Sequence, residues 1–138
     1  MLPKRILVGY DGSKEADKAL DVAVDLAKAS GGGLVVQHVV PVVAEAYVAG
    51  AVDLEAIEAA VGAMLDQAVE RARASGVAAT KVLSRGEVAP AILREADQRG
   101  VDLIVVGSLG KGRMARILMG SVADKLVHAA PVAVLVVR

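Results

Sequence analysis

Short runs rich in Val, Ile and Leu recur along this chain, and between them apolar residues return at every third or fourth position. This alternation limits the fold more than any other feature, because a run apolar on both faces needs layers above and below it. The first run is Lys4 to Gly9 (KRILVG). After the polar loop Asp11-Gly12-Ser13, residues Ala16, Ala19, Leu20, Ala23, Leu26 and Ala27 fall at helical spacing. Gly31-Gly32-Gly33 stops that helix, and Leu34 to Val40 is a second, continuous run. The pattern lapses from Pro41 to Val52, a segment carrying Tyr47 that reads either as a flap beside a ligand pocket or as a surface loop. It resumes with Leu54, Ile57, Val61, Met64, Leu65, Ala68, Val69 and Ala72 on one face of a long helix, with Asp53 placed as its cap and Gly76 at its end. Thr80 to Ser84 is a weaker third strand. Glu87 to Gln98 is a helix with Pro90 in its first turn, where the missing N–H does little harm. Asp102 to Gly107 is a fourth strand. A glycine-rich basic loop and a helical stretch to about Ala129 lead to a fifth, Val132 to Val137.

Strands and helices thus alternate from end to end, which predicts an α/β fold: one domain over residues 1–138, an open parallel five-stranded sheet with helices on both faces. Right-handed crossovers make it doubly wound and Rossmann-like. No linker, low-complexity tract or internal repeat interrupts it. With 55% apolar residues there is ample material for a core, and 26 Ala and 25 Val mean that small and β-branched side chains build it.

The same inventory narrows the function. Sixteen basic residues balance sixteen acidic ones, whereas nonspecific nucleic-acid binding needs a surplus of cations, and Tyr10 and Tyr47 are the only aromatics on which bases might stack. No nucleic-acid partner is expected. The absence of Cys removes thiolate chemistry and cysteine metal sites, and His38 and His128 are too few for a histidine cluster, leaving a hard cation on oxygens. No segment has the length or purity of a membrane span, and the start reaches an acid too soon for a signal-peptide core. A soluble, cytoplasmic protein is expected.

In sheets of this kind ligands bind beyond the carboxyl ends of the strands, where strand order reverses. The loop after the fourth strand reads Gly107-Ser108-Leu109-Gly110-Lys111-Gly112-Arg113, followed by Arg116 and then Gly120-Ser121. Glycines let successive backbone N–H groups reach phosphoryl oxygens, a helix starting near Gly120 would favour an anion, and Lys111 and Arg113 would neutralise outer phosphates. On these residues alone a plain strand-to-helix turn with a solvated basic loop is equally open. The loop is not a P-loop, since GK[ST] is missing, and it lacks the G-x-G-x-x-G spacing.

The spacing G-x2-G-x9-G-S through Gly107, Gly110, Gly120 and Ser121 resembles the nucleotide-binding signature of the universal stress protein family. ILVGYDGS, VVQHVV, VDLIVVGSLGKG and PVAVLVV are also similar to that family's blocks, so the resemblance spans nearly the whole chain. It implies strand order 3-2-1-4-5 and ATP across the carboxyl ends of the first and fourth strands. Gly9, Tyr10 and Asp11 would then border the nucleoside, and Val39 would pair its backbone with the adenine edge. Gly107 and Gly110 would approach ribose and phosphates, and Gly120, Ser121 and Val122 the phosphates. Gly112 and Arg113 complete the nucleotide-binding set. Asp11 would accept ribose hydroxyls or share Mg2+ carried in with the nucleotide; its other role is to cap the first helix or to make a turn with Gly12-Ser13, and Ser13 as the helix cap would leave it free. Leu109 departs from the family pattern, which commonly has a polar residue there.

His38 in a strand and His128 near a helix C-terminus read as structural, and Ser108 lacks the elbow context of a nucleophile. The apolar last strand, ending at Arg138, predicts an edge that pairs with a second copy, and the family resemblance implies a homodimer through 132–137. The leading expectation is an ATP-binding stress-response module with at most slow hydrolysis. A phosphoryl- or adenylyl-transferring enzyme and a nucleotide-free interaction protein are the alternatives.

Overall fold

The computed structural model describes residues 2–41, 50, 53–109 and 119–138. In chain order they form β1 (Arg5–Gly9), α1 (Lys14–Ser30), β2 (Gly33–Val40), α2 (Leu54–Ala74), β3 (Ala79–Arg85), α3 (Val88–Gln98), β4 (Leu103–Gly107), α4 (Ser121–Ala129) and β5 (Ala133–Val137). The strands make one parallel sheet of order β3-β2-β1-β4-β5, the order that the family resemblance implies. Among the described residues, no helix is long and apolar enough to cross a membrane.

Two apolar layers sandwich the sheet. Ile6, Val8 and Val36 face α1 and α2, while Leu7, Ile104 and Val106 face α3 and α4. Central β1 is buried on both sides, with Ile6, Leu7 and Val8 wholly inaccessible, which is why its sequence is continuously apolar rather than alternating. Truncating such a residue to Ala costs about 2–5 kcal/mol. The alanines have a geometric use: Ala16, Ala19, Ala23 and Ala27 form the buried face of α1, so that helix lies close against the strands.

The local signals behave as the chemistry requires. Ser13 Oγ accepts the Ala16 N–H and caps α1, and Asp53 Oδ1 does the same for Ala56 in α2. Gly31, at φ +70°, ends α1 in the left-handed conformation with its N–H on the Ala27 carbonyl. β3 reads weakly because it is an edge: Thr80 and Lys81 are exposed, and Lys81 and Arg85 pair with Asp66 and Glu58 of α2. Helix α2 is the departure. Only Leu65, Ala68, Val69 and Ala72 of its apolar face are buried, while Leu54, Ile57, Val61 and Met64 are half-covered.

Candidate functional site

Strand order reverses between β1 and β4, and a cleft of about 670 Å³ opens there at the carboxyl ends of the strands. That volume falls within the usual range for small-molecule sites. The end of β1 supplies Gly9, Tyr10 and Asp11, β2 supplies Gln37, His38 and Val39, the end of β4 supplies Gly107, Ser108 and Leu109, and the start of α4 supplies Gly120, Ser121 and Val122. Val88 and Ile92 of α3 and Val61 and Met64 of α2 make apolar walls. Eight of the eleven residues expected to bind the nucleotide therefore share one cleft. Gly110, Gly112 and Arg113, with Lys111, Arg116 and Tyr47, lie outside the described residues.

The β1 side is tightly tied. Tyr10 N–H donates to the Gln37 carbonyl at 2.8 Å, the last bond joining β1 to β2. His38 Nδ1 lies 2.7 Å from the Tyr10 carbonyl, and because a carbonyl only accepts, that nitrogen carries the proton. The ring is thereby committed to holding the loop, as its strand position suggested. Tyr10 itself is buried, and its hydroxyl donates to Asp17 Oδ1 at 2.5 Å. Burial first, then the bond to Asp17 and its charge, push the Tyr10 phenol up to about 12.

Alternation along β2 determines what the backbone offers the cleft. Gly33 N–H bonds to Lys4 on the β1 side and Gln37 C=O to Tyr10, so odd-numbered residues direct their peptide groups toward β1; Leu34 N–H and Val40 C=O bond on the β3 side. Val39 accordingly aims both its N–H and its C=O into the space beyond the last β1 bond.

Asp11 differs from expectation in one respect. Ser13 caps α1, but this does not leave Asp11 free, since Asp11 Oδ1 accepts the Ser13 N–H at 2.9 Å in a tight turn. Asp11 is the only carboxylate among the described residues lining the cleft, and no group of three His, Asp or Glu among them is arranged to hold a metal. One carboxylate suits a cation such as Mg2+ that keeps its waters and takes further ligands from phosphates.

The glycines divide by task. A Cβ on Gly107 would stand 2.9 Å from the backbone carbon of Glu15, so this residue lets α1 close on β4 as well as bordering the cleft. Gly120 is the N-cap of α4, with its N–H on the Ser108 carbonyl and no capping side chain. The amides of Val122 and Ala123 have no acceptor within the helix, and that end of α4 carries the positive pole of its dipole. Sequence reasoning passed over Gln37, Val88 and Ile92, residues of a strand and a helix whose only sign was Gln37 interrupting an apolar run.

Fold and cleft together define a class: open parallel α/β proteins with a ligand crevice at the topological switch point. The chain belongs to the universal stress protein family, whose model matches residues 3–138. It is 37% identical over 145 residues to the universal stress protein YxiE of Bacillus subtilis, covering 97% of this chain and 98% of that one. Among solved structures, UspA from Lactobacillus plantarum superposes with a TM-score of 0.87 at 27% identity, covering 98% and 97% of the two chains. A universal stress protein in complex with cAMP gives 0.77 at 27% identity (100% and 98% covered), and one from Archaeoglobus fulgidus in complex with dAMP gives 0.74 at 28% (100% of both).

Proposed function

We propose that this chain is an adenine-nucleotide-binding regulatory module that takes ATP with Mg2+ in the switch-point cleft and works as a homodimer through β5. The observation that carries this reading is the uncapped amino end of α4 entering the same cleft as the Val39 backbone pair. One end suits phosphate and the other the hydrogen-bonding edge of a base. The relatives solved with cAMP and dAMP support an adenine nucleotide.

In this reading Val39 pairs with the adenine edge, Gly9 and Tyr10 border the nucleoside, and Asp11 meets ribose hydroxyls or the cation. Gly107, Gly120, Ser121 and Val122 lie along the phosphates, with Gly110, Gly112 and Arg113 of the intervening loop completing the cradle. When bound, Mg2+ would neutralise phosphate charge beside Asp11. Nucleotide occupancy would then alter dimer geometry or partner affinity rather than feed rapid turnover.

Calorimetric titration with Mg-ATP, AMP and a cyclic nucleotide tests this on wild type and Gly120→Val, with thermal melting as the control for folding. The expected result is binding by wild type and at least about tenfold weaker binding by a folded variant, the loss of one to two charge-assisted hydrogen bonds. Equal binding by both proteins removes α4 from the site, and no binding by wild type defeats the reading. Turnover above about one per minute would instead favour an enzyme.

A further inference from the structure

Among the described residues, Gln37 Oε1 is the one buried side-chain polar atom without a hydrogen-bond partner. Gln37 is 1% exposed, pairs in register with Gly9 and lines the cleft. Its Nε2 donates to Ser84 Oγ at 3.0 Å and to the Ala91 carbonyl at 3.3 Å. That carbonyl fixes the orientation of the amide, because a flipped group would set two oxygens against each other. The nitrogen partners belong to β3 and α3, so the nitrogen is committed to that side and the oxygen is left over. On the β1 side its register partner Gly9 brings no side chain, and Ile92 and Val106, which flank the position a Gly9 Cβ would take, have no proton to donate.

Leu7, Val39 and Ile104 share this face of the sheet, and an aliphatic residue at 37 would pack among them without burying an unpartnered acceptor of its own. We infer that Gln37 determines base specificity: its Oε1 accepts an N–H of the exocyclic amine of the bound purine as the base enters the cleft. This rests on the nucleotide reading above and deepens it, because the ligand class becomes an amino-bearing purine. The Val39 backbone reads one edge of the base from two residues further along β2. Gln37 adds an acceptor that a base without an amine leaves unsatisfied. An apolar pocket discriminates weakly against such a base, whereas a committed hydrogen-bonding group rejects it strongly.

The test compares AMP with purine riboside monophosphate, the same nucleotide without the amine, by calorimetry on wild type, Gln37→Leu and Gln37→Met. Wild type is expected to prefer AMP by about tenfold or more, and both variants to narrow the ratio to about threefold or less while still binding, because the stranded acceptor is gone. Loss of the bonds to Ser84 and Ala91 opposes the relief of the unpartnered oxygen, so the variants are expected to melt close to wild type, and two aliphatic shapes guard against one failing to pack. An unchanged ratio in folded variants overturns the role of Gln37 and leaves nucleotide binding standing. If neither nucleotide binds wild type, the nucleotide reading falls and this inference falls with it.

Discussion

Asp11 shows how one residue can serve the fold and the cleft together. Its Oδ1 holds the Ser13 N–H and so fixes the turn that presents the cap of α1, while the residue borders the space where β1 and β4 part. Alanine would remove both roles and give an ambiguous result. Asparagine separates them: its side-chain carbonyl still accepts from Ser13, but its charge is gone. Asp11→Asn is therefore expected to unfold in urea within about 0.5 kcal/mol of wild type, as surface changes without lost packing commonly do. Its ATP affinity is expected to lose most of the gain that wild type shows on adding Mg2+. An Mg2+ effect of wild-type size in the Asn protein would confine Asp11 to its turn. Gly107 carries the complementary lesson. Its place in the glycine signature pointed to a ligand, whereas the backbone of Glu15 lies against it. Sequence spacing identifies a position that needs no side chain but not which neighbour needs the room.

Between elements, one contact joins α1 to α2 and reaches the cleft through Tyr10. The Tyr10 hydroxyl and Arg71 Nη1 share Asp17 Oδ1, and Arg71 Nη2 reaches Asp21 at 2.6 Å. Burial works against the Arg71 charge, but the bond to Asp17 and the charges of Asp21, Asp17 and Tyr10 outweigh it and raise its affinity for the proton. For Tyr10 the pH dependence follows from the raised phenol. Below about pH 10 the phenol is protonated in both the folded and the unfolded chain, and its contribution is complete. Above that the unfolded chain releases its proton first, so stability declines until pH passes about 12, where the folded phenol also ionises. The loss amounts to about 2 kcal/mol. In urea titrations from pH 8 to 12, wild type should fall more steeply than Tyr10→Phe; parallel curves would show that the phenol does not carry this linkage. Strands β1, β2 and β4 and helix α1 were readable because burial from both faces prints itself as continuous apolar runs and Ala-rich spacing. The first half of α2 showed the same periodicity, yet Val61 and Met64 face the cleft, because periodicity reveals a face and not what it faces. Gln37 showed only as a break in an apolar run: a polar residue in a strand has no spacing, and its meaning arises only when Ser84 and Ala91 claim its nitrogen.

Across the whole molecule the two sheet edges are built differently. β3 places exposed Thr80 and Lys81 at its rim and ties Lys81 and Arg85 to α2, which discourages further strand pairing. β5 is apolar from Ala133 to Val137, and among the described strands it is bonded only to β4. Because the Val137 carbonyl accepts Ser108 N–H on the β4 side, residues 133, 135 and 137 direct their peptide groups inward. Val134 and Val136 direct theirs out from the edge, where a second copy could continue the sheet. The bond from Ser108 also makes β5 a neighbour of the cleft, so a ligand that moves the end of β4 would be felt at this edge. Val136→Pro tests the edge without touching the inner ladder, since proline removes only an outward N–H and edge strands tolerate it. Wild type is expected to sediment as a dimer and the variant as a monomer with unchanged far-UV circular dichroism. A variant that stays dimeric would move the interface to another face, and a monomeric wild type would refute pairing through β5. If the dimer does form through β5, adding Mg-ATP should shift its dissociation constant in wild type, because the occupied cleft and the paired edge share the end of β4.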